Sequence, residues 1–335
     1  MIAGLAAISP RLANTESEVQ FKGMGGLMLS GTFVQPAATF SGPGPAVLLL
    51  PGSGPTDRDG NQLAGGLRTD LLKQIAEQLA ANGIASLRFD KRAVHRYAAD
   101  WPKSIDAIAT FFDWSMFTGD ATAAYQFLRV QPGVAASKVA VCGHSEGGLI
   151  ALAVAHDLSS TPDEPAALVL LSTAGRPLGE VLHEQLAAKL PSQTDPDTAK
   201  ALLAFSDRAT AELSAGKPLP PDVPRALLGL YGPSTPKYLG AVLPLDPAKL
   251  AAAYDRNVLI VNGIDDTQVS PKLDATRLRD AFERRRTGSV KLVLVPQASH
   301  NYKSTAAGNA DAFEGPASTI LFAAMTKFLK DNLSP

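Results

Sequence analysis

The chain of 335 residues carries 31 Lys and Arg against 32 Asp and Glu, a net charge of −1, and 45% of it is hydrophobic. That balance, with no block of Lys or Arg, argues against nucleic acid or an anionic membrane as the main partner, and the length suits one large core with an elaboration. The single cysteine, Cys142, leaves no internal disulfide, and no apolar run approaches the length of a membrane-spanning helix.

Residues 1–17 read as an N-terminal extension. Its first ten residues are small and apolar with no basic residue before them, short for a signal-peptide core, so it reads as a trimmed signal remnant or as a disordered or docked extension. Cytoplasm, bacterial periplasm and secretion all remain open on this reading. Residues 18–36 then read as a hairpin turning through Gly23 to Gly26, an antiparallel edge of a mixed sheet. Short apolar runs follow at 47–50, 85–89, 139–142, 167–171, 258–261 and 290–295. Helical spacing fills the gaps at Leu72, Ile75 and Leu79, and over 121–130, 149–158, 273–284 and 319–333. This alternation predicts an α/β fold: a mostly parallel sheet covered on both faces, with ligands bound beyond the carboxyl ends of the strands.

Two connections are longer than a helix and two loops require. Residues 93–118 carry His95, Tyr97, Trp101, Phe111, Phe112, Trp114 and Phe117. Core packing is the favoured reading of these aromatics, over a wall of a substrate pocket. Residues 173–257 divide 18–172 from 258–335, and are expected to form a helical cap inserted in the core, with helices at 179–190 and 197–213 and a Pro-rich stretch at 217–224. A cap at that strand end is expected to serve as a lid.

The chemistry is concentrated in four strand-end segments. Gly143-His144-Ser145-Glu146-Gly147 lies between an apolar run and a helix, where a sharp turn leaves no room for β-carbons at the glycines and presents the Ser145 hydroxyl at the strand tip. A serine needs a base. Among His95, His144, His156, His183 and His300, only His300 follows the serine in a loop beyond a strand end, and the turn is expected to point His144 away. The base needs an orienting carboxylate, and Asp265 and Asp266 follow the strand 258–261; the pattern G-x-x-D-x-x-V selects Asp266. An oxyanion needs donors. The loop Pro51-Gly52-Ser53-Gly54-Pro55 after the first central strand supplies the backbone N–H of Ser53, and the residue after the serine supplies that of Glu146. Asp57-Arg58-Asp59 reads as a self-paired turn rather than a metal or phosphate site. The sequence shows no zinc spacing and no phosphate-binding glycine pattern, so no cofactor and no metal are expected.

These segments, in this order, resemble the α/β-hydrolase superfamily. Leu50-Pro51-Gly52-Ser53-Gly54-Pro55-Thr56-Asp57-Arg58-Asp59-Gly60-Asn61, Leu87-Arg88-Phe89-Asp90-Lys91-Arg92 and Gly143-His144-Ser145-Glu146-Gly147-Gly148 together resemble bacterial esterases of the EstD type and their dienelactone-hydrolase-like neighbours. The resemblance implies hydrolysis of small-molecule carboxylic esters through an acyl-enzyme, with Ser145, Asp266 and His300 as the triad. The chain departs from it at Ala93-Val94-His95-Arg96, where the family has glycines, so a reshaped loop is expected there. A dehalogenase or epoxide hydrolase would need aspartate at position 145. The alternatives that stand are a serine aminopeptidase, with Glu180, Glu184 or Glu212 as anchor for a free amino group, a thioesterase, and a non-catalytic ligand-binding protein on the same scaffold.

Overall fold

The computed structural model describes residues 14–37, 42–309 and 312–333. Most of the N-terminal extension therefore lies outside the described residues, but its last part does not: Thr15 already begins the first strand. An eight-stranded sheet runs in the order β1-β2-β4-β3-β5-β6-β7-β8. Its strands are β1 (Thr15–Lys22), β2 (Met28–Gln35), β3 (Gly44–Leu50), β4 (Ala85–Phe89), β5 (Val134–His144), β6 (Ala167–Leu171), β7 (Asn257–Gly263) and β8 (Val290–Val295). β1 and β2 form the antiparallel edge, with β2 antiparallel to β4; every pairing from β4 through β8 is parallel.

Strand alternation divides the core. In β3, Ala46, Leu48 and Leu50 enter one apolar cluster and Val47 and Leu49 the other, on opposite faces of the sheet. The first cluster is closed by α3 (Trp114–Arg129), α4 (Glu146–Asp157) and α9 (Thr276–Glu283), the second by α1 (Leu71–Ala81) and α10 (Thr319–Leu333). Side chains such as Leu48 and Leu49 are wholly buried, each contributing about 1.5–3 kcal/mol over exposure. The aromatics of 93–118 pack among themselves and against this core: Trp101 meets Phe112 edge-on at 5.6 Å.

Between β6 and β7 stand α5 (Leu178–Lys189), α6 (Pro196–Ser214), α7 (Pro236–Val242) and α8 (Pro247–Ala252). Leu202, Phe205, Ala209, Leu213, Tyr231, Leu239 and Val242 form a separate apolar cluster there, and Trp114 and Tyr238 pack on both it and the main core. Helices α7 and α8, and α2 (Ile105–Phe111), are absent from the sequence reading. Each spans less than two turns or barely two, too short for a 3.6-residue apolar period to declare itself.

Candidate active site

β5 ends in a turn that places Ser145 at φ 54° and ψ −121°, a left-handed backbone that a non-glycine residue adopts only when its surroundings impose it. The surroundings do so. A β-carbon on Gly143 would lie 2.0 Å from the carbonyl oxygen of Gly147, and one on Gly147 would lie 2.4 Å from that of Leu50. Strand, turn and helix therefore interlock only because these two positions lack side chains. The Ser145 N–H donates to the Leu171 carbonyl at 2.8 Å, tying the turn to β6, and α4 begins at the next residue.

β7 and β8 deliver the other two groups. His300 Nδ1–H donates to Asp266 Oδ2 at 2.9 Å, with Oδ1 at 3.1 Å. The carboxylate is itself fixed: Oδ1 accepts from the N–H groups of Gln268 at 2.8 Å and Val269 at 2.9 Å, and Oδ2 faces Asn262 Nδ2 at 3.3 Å. Burial alone would raise the Asp266 pKa, but the His300 imidazole and these hydrogen bonds outweigh it and hold the carboxyl below its ordinary range. Asp265 takes no part in this pair. Its side chain accepts from the Thr305 hydroxyl and its N–H donates to Ala298.

With Nδ1 engaged, His300 Nε2 is left for the cavity that Ser145 also lines, about 400 Å³ in volume. No hydrogen bond joins the Ser145 hydroxyl to His300 among the described residues. Gly52, Ser53, Thr56 and Gln62 form the facing wall. The Ser53 carbonyl accepts from the Thr56 hydroxyl at 2.7 Å and Gln62 Nε2 at 2.8 Å, while the Gly52 carbonyl accepts from Lys91 Nζ at 3.0 Å. Both peptides flanking Ser53 are thus pinned by their oxygens. Among the described residues, neither the Ser53 nor the Glu146 N–H is used in a hydrogen bond.

His144 does not point away, as the sequence suggested. Its Nε2 meets the His300 carbonyl at 3.0 Å and the two rings lie 4.8 Å apart. Burial, then the neighbouring His300, push its pKa down to about 3, so it stays neutral and donates to the loop that carries His300. Nothing local in the sequence signals this contact between residues so far apart in the chain. The remaining histidines are dispersed: His156 beside Asp157 and His183 on Asp207, both exposed, and His95 exposed against Trp101.

Asp57-Arg58-Asp59 is likewise not self-paired. Arg58 reaches Asp90 at 2.8 Å and also Glu18 and Thr32, Asp59 reaches Arg88 at 2.7 Å, and Asp57 accepts from the N–H groups of its own turn. The motif clamps the Ser53 loop to β1, β2 and β4, an arrangement that strand order alone makes possible.

Of the segment between β6 and β7, Lys189 reaches the cavity wall, and Gln185 Nε2 donates to the Gln268 carbonyl at 2.9 Å, joining α5 to the loop of Asp266. None of the three candidate acidic anchors lines the cavity. Glu184 is bound to Arg176 through two contacts of 2.7 Å, Glu212 pairs with Lys217 at 3.1 Å, and Glu180 faces a separate groove. A larger open groove of about 710 Å³ along Met24 to Leu27 and Thr110 to Met116 holds none of the site's reactive groups.

The family model described as serine aminopeptidase S33 matches residues 68–219, which include Ser145 but neither Asp266 nor His300. Esterase EstD of Thermotoga maritima is 28% identical over 260 residues, 78% of this chain and 55% of its own length, so the chain spans about half of that relative. Among solved structures, a dienelactone hydrolase from Anabaena variabilis superposes with a TM-score of 0.54 at 19% identity, covering 96% of this chain and 99% of its own. A puromycin-hydrolysing peptidase of Mycobacterium tuberculosis superposes at 0.60 and 19% identity, covering 98% of this chain and 42% of its own. With its sheet order, its turn at Ser145 and these likenesses, the chain has the α/β-hydrolase fold and resembles EstD-type esterases and their dienelactone-hydrolase-like neighbours.

Proposed function

We propose that the protein is a serine carboxylesterase that hydrolyses small to medium esters through an acyl-enzyme on Ser145. The observation that carries this reading is the buried Asp266–His300 pair opening, through the free imidazole nitrogen, onto the cavity that Ser145 lines. The Ser145 oxygen attacks the ester carbonyl as His300 Nε2 takes its proton. Asp266 holds the Nδ1–H tautomer and offsets the imidazolium charge. The N–H groups of Ser53 and Glu146 receive the oxyanion. Collapse expels the alcohol with the proton from His300, and water repeats the sequence on the acyl group, returning Ser145. Likeness to EstD supports an ester as substrate, and the modest cavity supports a short one.

The family-model match favours a second reading, a serine aminopeptidase. That activity needs carboxylates to hold a free ammonium. The residues lining the cavity supply the cation Lys189 and no carboxylate among the described residues, which favours the ester. The two are separated by offering p-nitrophenyl acetate and butyrate beside amino-acid p-nitroanilides. Turnover of the esters, abolished in Ser145→Ala, is expected; anilide cleavage without ester cleavage would replace the esterase reading by the peptidase one.

A further inference from the structure

Lys91 sits just beyond β4, and its ammonium is buried, with the side chain only 5% exposed. Three groups surround it: the Gly52 carbonyl at 3.0 Å, Glu146 Oε1 at 2.6 Å and the face of the Phe117 ring at 5.0 Å. The other carboxylate oxygen, Glu146 Oε2, accepts from the hydroxyl of Tyr238 on cap helix α7 at 2.5 Å. Burial and the adjacent carboxylate push the Tyr238 phenol well above its ordinary pKa, so it remains a donor. Two of these contacts bear on the proposed oxyanion donors, one through a peptide oxygen and one through a side chain. The Gly52 carbonyl belongs to the same planar unit as the Ser53 N–H, and in a trans peptide the two point in opposite directions. Whatever holds the oxygen back therefore aims the N–H forward. Glu146 is the residue whose own N–H is the second donor.

We propose that Lys91 is a positioning residue that sets both oxyanion donors at once, and that Tyr238 links this setting to the cap. The inference rests on the proposed function for its catalytic meaning. Lys91 touches no reacting atom. It fixes the Gly52–Ser53 peptide against a flip that would turn a carbonyl oxygen toward the developing anion. Through Glu146 it fixes the first turn of α4, and through Tyr238 a displaced α7 would loosen the same carboxylate. An acidic side chain next to the nucleophile would otherwise oppose the oxyanion by its charge; the ammonium and the phenol hold it aside and neutralise it.

The test is Lys91→Met, which keeps the length of the chain and removes the charge. Expected is a fall in kcat of at least about tenfold with KM moving less than about threefold, the mark of a contact felt only in the transition state. The sharper readout compares an oxygen ester with its thionoester, whose sulfur accepts hydrogen bonds poorly: the preference for oxygen should shrink in Lys91→Met and less so in Tyr238→Phe. A merely structural defect would slow both substrates alike. Should Lys91→Met leave Glu146 too poorly solvated to fold, the neutral pair Lys91→Met with Glu146→Gln carries the same comparison. An unchanged kcat and oxygen preference would overturn the inference while ester turnover by the wild type kept the proposed function standing. If the wild type hydrolyses no ester, the function falls, and a crystal structure of Lys91→Met decides the inference alone: a reoriented Gly52–Ser53 peptide supports it, an unmoved one refutes it.

Discussion

Replacing Asp266 by Asn tests the orienting carboxylate with almost no change in shape, and the structure dictates how the amide must sit. Two backbone N–H groups, from Gln268 and Val269, point at Oδ1 at 2.8 and 2.9 Å, so the amide oxygen must take that place. The amide NH2 then occupies the Oδ2 position, 2.9 Å from His300 Nδ1. Donor meets donor there, and the amide oxygen, 3.1 Å from Nδ1 and already taken by two N–H groups, is a poor substitute acceptor, so His300 is expected to move its proton to Nε2. That tautomer satisfies the amide but presents an N–H to Ser145, which then has no base. The expected loss in kcat is about 10⁴-fold, or about 5.5 kcal/mol of transition-state stabilisation, with a melting temperature close to that of the wild type. Steady-state hydrolysis of p-nitrophenyl acetate near pH 7.5 measures it. Asp265→Asn, at the neighbour that serves Thr305, is the control and should lie within about threefold of the wild type. An Asp266→Asn protein keeping a tenth of the activity or more would refute the reasoning.

Gly143→Ala forces a β-carbon to 2.0 Å from the Gly147 carbonyl oxygen, and should cost about 3 kcal/mol or more and displace the elbow, read as a lower melting temperature together with lost ester turnover. His144 has a folded-state pKa pushed down to about 3, below its unfolded value, so the unfolded chain binds the extra proton as the pH drops. Its stabilising contribution is complete above about pH 6.5 and drains away between there and about pH 3, at up to roughly 1.4 kcal/mol per pH unit. In urea titrations the gap in stability between wild type and His144→Asn should therefore narrow by roughly 2 kcal/mol from pH 7 to pH 4.5, and a constant gap would contradict a buried neutral imidazole. Lys189 gives the cavity wall its positive charge; Lys189→Glu should raise KM by about two- to fivefold for an ester bearing a carboxylate and leave KM for a neutral ester nearly unchanged.

What the sequence made legible is what local chemistry fixes. Gly143, Ser145 and Gly147 declare a turn that few other residues tolerate, and the run of apolar strands puts that turn, Ser53, Asp266 and His300 on one edge before any coordinate is known. The adjacent acids Asp265 and Asp266 have opposite surroundings, one held by Thr305 and one by His300, in keeping with the motif spacing that selects the second. What stayed hidden lives on contacts between distant segments. Lys91 stands in the segment Leu87 to Arg92, yet its link to Glu146 joins residues 55 apart and depends on β3 lying between β4 and β5. Tyr238 lies on a seven-residue helix among prolines and glycines, and its partner Glu146 is 92 residues away. His144 faces His300 because β5 and the loop after β8 converge in space, a fact no window of sequence contains. The Asp57-Arg58-Asp59 turn shows the same limit: three charges in a row suggest mutual pairing, while Arg58 and Asp59 take partners on distant strands and only Asp57 stays within its own turn.

The central claim is that Ser145 is the nucleophile, and covalent capture tests it most directly. Incubation with a p-nitrophenyl alkylphosphonate, followed by intact-mass measurement and peptide mapping, should find one phosphonyl group per chain on Ser145, none in Ser145→Ala, and sharply slower labelling in Asp266→Asn. Ester turnover by a protein that acquires no adduct, or an adduct on any other residue, would contradict the account.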